Sequence, residues 1–263
     1  MFRKLQIHAG LNKSKTREQF NTLSLEFGRV YTIVGKTGSG KTQLIEDIES
    51  LTNGTGLTKR TILLDNKVPC DSIRYAPHNK LVSHLSQNMH FILDMQVNEF
   101  IELHAKCREI NSFQDQVNHI LTCANKLCGE RILPNEKLTN LSGGQSRALM
   151  IADIAINGDT PIVLIDEIEN AGINKLQAVN MLLNKNKIII IVTHDPLLAL
   201  TGDKRIVMSN GGVKAIIKRS NTEQKILNEL VVYDQAVSNL RSSLRLGKQL
   251  KGGLQYELQS LLE

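Results

Sequence analysis

No stretch of this sequence stays apolar for long. The longest uninterrupted runs, such as Ile188 to Val192, are five residues, against the ~20 needed to cross a bilayer, so the chain is not expected to span a membrane. The N-terminal "MFRKLQIHAGLNKSK" carries positive charge without the apolar centre of a secretory signal, and a cytoplasmic address, peripheral on the membrane's inner face at most, is expected. Cysteine is scarce too. Cys70, Cys107, Cys123 and Cys128 are too few and too irregular for a disulfide framework. The pair in "CANKLC" has no second pair to complete a metal site, and His78, His84, His90 and His104 lack a matching carboxylate or cysteine set. Inert thiols and solvated or core histidines are expected there. Internal repeats and low-complexity tracts are also absent.

A 41% hydrophobic share with 22% charged residues is ordinary for a globular protein and excludes wholesale disorder. Its 263 residues are enough for one domain with an insertion. The net charge of +6 is uneven: Lys214 to Lys251 holds eight Lys or Arg against three acids. Such a tail is either a solvated helix face or an attraction for an acidic partner, a membrane surface or nucleic acid.

Along the chain, β-rich "RVYTIV" (Arg29 to Val34) runs into "GKTGSGKT" and then into "QLIEDIESL", which has helical spacing. A further strand is expected at Arg60 to Asp65. From Phe91 to Thr139, apolar residues recur at three and four spacing, which predicts a helical insertion. Two more strands, "PIVLIDE" and "KIIIIVTHD", enclose a helix around Lys175 to Leu183, and "RIVMSNGGVKAIIK" reads as a strand pair turning at Asn210 and Gly211. Strands alternating with helices predict an α/β fold with a largely parallel sheet covered on both faces. Beyond Ser220 the chain is expected to be helical.

Gly35, Lys36, Thr37, Gly38, Ser39, Gly40, Lys41 and Thr42 satisfy G-x-x-x-x-G-K-[ST] in the required strand-to-helix context, with Gln43 next on the helix. Such a loop turns backbone N–H groups onto a phosphate, adds the positive helix end, and offers Lys41 to the β- and γ-phosphates and the Thr42 hydroxyl to Mg²⁺. Alone it leaves ATPase, GTPase and kinase open. Asp166 and Glu167 narrow the choice, because they emerge at the C-terminal end of an apolar strand, where α/β sheets bind ligands. Asp166 can hold the Mg²⁺ shell and Glu167 can polarise an attacking water. His194, closing the next strand, is placed to bridge phosphate, water and carboxylate. One motif is left over: "LSGGQ", Leu141 to Gln145, bares the backbone at the start of a helix, as though something anionic must approach it.

Taken in order, these motifs resemble the ATP-binding cassette (ABC) ATPases over about residues 1 to 218, and LSGGQ matches that family's defining motif at all five positions. The resemblance implies a P-loop NTPase core sheet, an inserted helical subdomain at about residues 88 to 140, and a basic extension from 219 to 263. It implies ATP and Mg²⁺ as cofactors, and a head-to-tail dimer in which Ser142, Gly143, Gly144 and Gln145 complete the site of a second copy. Gln87 takes the place of the family's glutamine that senses Mg²⁺ and the attacking water. There are three departures. Arg3 to Gln19 contains no aromatic ring for adenine, which leaves Phe2, Phe20, Lys13 or Arg17 for that role; "IENAGI" lacks the usual aspartate; and the segment Asp166 to His194 is short, consistent with a trimmed helix. An ATPase subunit working with separate membrane transporter subunits is the leading expectation, and a soluble ATPase that remodels or activates an enzyme partner the alternative. Nucleic acid is disfavoured, because the long coiled coil of the DNA-repair members is missing.

Overall fold

A computed structural model describes residues 2–75, 80–87, 89–108 and 113–249. His78, Lys251 and the extension from residue 250 onward lie outside the described residues. The chain separates into two compact units, Met1–Ile217 and Lys218–Glu263.

The first unit is built on β3 (Arg29–Val34), β5 (Val82–Leu85), β6 (Ile162–Asp166), β7 (Ile188–Val192), β8 (Lys204–Ser209) and β9 (Gly212–Lys218), in the spatial order β5-β6-β7-β3-β8-β9. The β5-β6, β6-β7, β7-β3 and β3-β8 pairs are parallel. Strands buried on both faces need side chains that satisfy two cores. Along β6, Ile162 and Leu164 enter one cluster and Val163 and Ile165 the other, as the two-residue period of a strand requires. Helix α1 (Lys41–Glu49) covers the first face; α5 (Gly143–Ile156) and α6 (Lys175–Leu183) cover the second, and the short α2 (Asp71–Arg74) and α7 (Pro196–Thr201) lie in the connections. The β8-β9 turn falls at Asn210 and Gly211, both at positive φ of 49° and 78°, the combination a two-residue hairpin needs.

The expected strand at Arg60 to Asp65 forms as β4 (Thr61–Leu64) but in a different sheet. It pairs antiparallel with β1 (Lys4–His8), which also pairs with β2 (Thr22–Glu26). Neither β1 nor β2 is evident from sequence, since each is five residues with only two or three buried. The helical insertion contains α3 (Val97–Lys106) and α4 (Phe113–Leu127), whose Val97, Phe100, Ile101, Val117 and Ile120 join the α5 core. His104 there pairs with the buried Asp153 of α5 at 2.8 Å. Cys123 and Cys128 are half-buried free thiols, and among the described residues no three His, Cys, Asp or Glu side chains cluster as metal ligands. No described helix is long and apolar enough to cross a membrane. The second unit contains α8 (Asn221–Arg245), opened by a capping box between Ser220 and Glu223.

Candidate functional site

The phosphate-type loop sits at the C-terminal end of β3 and runs into α1. Gly40, the N-cap of α1, has φ 98°, and a Cβ there would lie 2.7 Å from the Cα of Gly211. Only glycine satisfies both conditions. The β8-β9 turn is thus pressed against the loop, and Gly211 N–H donates to the Ser39 carbonyl at 2.8 Å. Lys41 is buried, its ammonium donating to the carbonyls of Gly35 at 2.9 Å and Lys36 at 3.3 Å. Ser39 Oγ is buried without a partner. Lys36, Thr37, Gly38 and Thr42 are exposed at the lip of the loop. A glycine-bent loop running into a helix N-terminus, with a fixed cation and an unpaired hydroxyl, fits a polyphosphate.

Beneath this loop lies a buried charge cluster that sequence alone did not reveal. Arg60, 0% exposed, donates to Glu18 at 2.8 and 3.0 Å, to Asp47 of α1 at 2.9 Å and to the Gly211 carbonyl at 3.0 Å. Glu18 also accepts from the N–H of Gly10 and of Val213. Burial opposes the charge on Glu18, but the bonds and charge of Arg60 outweigh it and hold this carboxyl below its usual range. The cluster ties the loop at residues 10–18 to α1 and the β8-β9 turn. That loop delivers Lys13, whose ammonium donates to the Gly38 carbonyl at 2.7 Å and whose stem passes where a Cβ on Gly211 would stand. Of the expected adenine contacts, Lys13 therefore reaches the phosphate loop. Phe2 does not: its ring packs on Phe27, centroids 5.3 Å apart, at the start of β3 and so at the opposite end of the strand. Phe20 packs against the core.

Two strands away, β6 ends in Asp166. Burial and the adjacent Glu167 push its carboxyl above the usual range, with Lys41 and Arg147 among the cations that oppose the shift. A partly buried carboxylate destabilised in this way fits a cation. Glu167 is held at φ 49° by its N–H, which donates to the Val192 carbonyl at 2.9 Å. This turn sends its carboxylate toward Gln87 Nε2, 2.6 Å from Oε2, and His194 Nε2, 3.5 Å from Oε1. Gln87, Glu167 and His194, taken from three separate strand ends, are thus brought together.

The signature residues divide. Ser142 caps α5, accepting from the N–H of Gln145 at 3.3 Å while its own N–H donates to Gln145 Oε1 at 2.9 Å. Gln145 is buried and its amide also reaches the Arg131 carbonyl; its side chain completes the cap rather than facing outward. Ser142 and Gly143 are exposed, with bonds from Ser142 running along its own helix and not to Gly35–Thr42. Gly143 has ordinary helical φ, and a Cβ on it would meet no described atom within 4 Å.

Sequence reasoning also missed Arg147, one turn into α5 and buried. Its guanidinium donates to the carbonyls of Glu167 at 3.1 Å, Ser86 at 2.9 Å and Gln87. Burial lowers its affinity for the proton, and Asp166, Glu169 and Glu167 restore part of it. A single cation on the signature helix thus holds the two strands' ends that carry Gln87 and Glu167. The available signal was an arginine standing directly before the apolar run Ala148 to Ala152.

The ABC transporter family profile matches residues 20–170. An ABC transporter ATP-binding protein of Methanocaldococcus jannaschii is 44% identical over 94% of this chain and 95% of its own length. The energy-coupling factor transporter ATP-binding protein EcfA2 of Staphylococcus epidermidis is 26% identical over 88% of this chain and 79% of its own. Among solved structures, a dimeric post-hydrolysis ATP-binding cassette bound to ADP and Pi superposes with a TM-score of 0.61, at 22% identity over 82% of this chain and 99% of that one.

Proposed function

This chain belongs to the ABC transporter family as an ATP-binding, ATP-hydrolysing subunit, and from that premise we propose that it works as one half of a head-to-tail dimer enclosing two ATP molecules. The observation that carries this reading is Gly143. Neither a positive φ nor a close neighbour among the described residues calls for glycine there, which supports a reason for the bare backbone outside the chain. The N–H groups of Gly143 and Gly144 at the start of α5, together with the hydroxyl of Ser142, whose own N–H is taken up by Gln145, can meet the γ-phosphate held by the Gly35–Thr42 loop of a second copy.

Within each half, the loop amides and Lys41 bind the β- and γ-phosphates. Thr42, Gln87 and Asp166 would hold Mg²⁺, which when bound neutralises charge on the phosphates. Glu167 accepts a proton from water, and Gln87 and His194, already at its two carboxylate oxygens, orient that water and the γ-phosphate for in-line attack. Gln43 follows Thr42 beside the loop. Lys13, anchored at Gly38, supplies a cation where an adenine-stacking ring is missing.

Membrane transporter subunits are the partners this reading favours, since EcfA2 is named for transport. The helical segment at residues 88–140 would dock them, and the extension 219–263 would form a separate basic element. A soluble enzyme partner is the second reading, favoured by Lys13 in place of an aromatic and by the 3₁₀ turn Ile168–Ala171 in place of the aspartate-bearing loop.

Mixing two dead variants tests the shared site. Ser142→Arg and Lys41→Ala should each be inactive alone, and their mixture should regain turnover through the one composite site with both motifs intact. A mixture as inactive as its components, or full activity of Ser142→Arg alone, contradicts the dimer.

A further inference from the structure

Glu169 lies three residues after Asp166 in the turn Ile168–Ala171, where nothing in the motif reading gave it a task. Its Oε1 accepts from two consecutive groups at the end of β7: the Thr193 hydroxyl at 2.8 Å and the His194 N–H at 2.8 Å. Thr193 is 0% exposed, and its Oγ1 in turn accepts from the Asp195 N–H at 3.0 Å. The carboxylate thus grips the backbone of the residue that carries the imidazole, from the same turn that opens with Glu167. The other end of that turn is tied as well, because Glu167 N–H donates to the Val192 carbonyl. These three bonds, one to Val192 and two to Glu169, hold the strand end that carries His194 beside the turn that bears Glu167, with the ring 3.5 Å from that carboxylate. The second carboxylate oxygen, Oε2, is buried and without a hydrogen-bond partner, so the grip on Thr193 and His194 runs through Oε1 alone.

We propose that Glu169 is a positioning residue for hydrolysis: it clamps the His194 backbone to the turn that bears Glu167, so that imidazole and carboxylate address one water and one phosphate together. Both bonds run from donors to a single oxygen, so the geometry, not the negative charge, is what the clamp needs. Glutamine, whose Oε1 accepts equally, should replace it; alanine should not.

The inference rests on the roles given to Glu167 and His194, and the experiment separates the two. Steady-state turnover and ATP affinity are measured for Glu169→Ala, Glu169→Gln, His194→Ala and the double variant Glu169→Ala/His194→Ala, with thermal melting as a control for folding. Glu169→Ala should lower kcat by about tenfold or more, the scale on which small misplacements act, while the ATP dissociation constant stays within about twofold. Glu169→Gln should keep most of the wild-type kcat. In the His194→Ala background, removal of Glu169 should cost nothing further, since a clamp has no function without the group it holds. Full additivity of the two substitutions, wild-type kcat in Glu169→Ala, or a Glu169→Gln variant as slow as alanine would each overturn the proposal while leaving the His194 assignment in place. Wild-type turnover in His194→Ala would instead remove the assignment itself. Should Glu169→Ala fail to fold, Thr193→Val, which deletes one donor, is expected to show the same kcat-only loss, and its absence there counts against the clamp.

Discussion

Gly40 and Gly143 each stand at the start of a helix beside a motif, yet they are glycine for different reasons. At Gly40 the chain itself forbids anything else: φ is 98°, and the Cα of Gly211 occupies the space of a Cβ at 2.7 Å. At Gly143 the backbone is ordinary helix and the space is open. The phosphate loop is therefore shaped by contacts inside one chain, while at Gly143 no described neighbour requires the bare backbone, and in the proposed dimer a second copy would. The charges follow the same division. Under the phosphate loop, Glu18 is compensated by Arg60 and held below its usual range. Across the sheet, Asp166 is pushed up by burial and by Glu167.

The comparison is broken most severely at Arg60. Arg60→Ala would leave Glu18 and Asp47 buried without their cation, which costs roughly 3–5 kcal/mol. Urea denaturation should show a loss of that size, and phosphate-loop function should go with it; a change below ~1 kcal/mol would mean that the loop does not depend on this cluster.

Gly40→Ala comes next. A side chain forced into the left-handed region costs about 1–3 kcal/mol before the clash with Gly211 is counted, so both the melting temperature and ATP affinity should fall. An unaltered ATP dissociation constant by calorimetry would show that the loop is not preformed.

Asp166→Asn gives the smallest effect of these three on stability, with the opposite sign. An acid whose pKa is raised on folding binds more protons in the native than in the unfolded state, so native stability falls as pH rises from the ordinary aspartate pKa through the raised one. Above that window the charged carboxylate opposes folding, and removing the charge should raise the melting temperature of the nucleotide-free protein modestly at pH 7 while ATP turnover is lost. A lower melting temperature would show that Asp166 is stabilised by partners rather than held ready for a cation.

Much of this was legible in the sequence because its chemistry is local. The strand–glycine loop–helix run, Asp166 and Glu167 after four apolar residues, and the Asn210–Gly211 turn each carry their geometry within a few neighbouring positions. What escaped depends on separation along the chain. Arg60 meets Glu18 across 42 positions and Gly211 across 151, and no periodicity announces such a meeting. Arg147 was hidden because a buried arginine in an apolar helix has meaning only once its three carbonyl partners are located. Strands β1 and β2 were too short and too polar to stand out. The adenine contacts were narrowed rather than found: Phe2 was drawn away by Phe27, while Lys13 was carried to Gly38 by a loop that the Arg60 cluster holds in place.

That a second copy completes each ATP site is tested most directly at one methyl group. Gly143→Ala should leave the melting temperature unchanged or slightly raised, by the ~1 kcal/mol at most that separates glycine from alanine in a helix. ATP binding to the monomer should be intact, but ATP-dependent dimerisation, followed by light scattering, and turnover should collapse together. A Gly143→Ala protein that dimerises on ATP and hydrolyses it at the wild-type rate would show that nothing from another chain approaches this backbone.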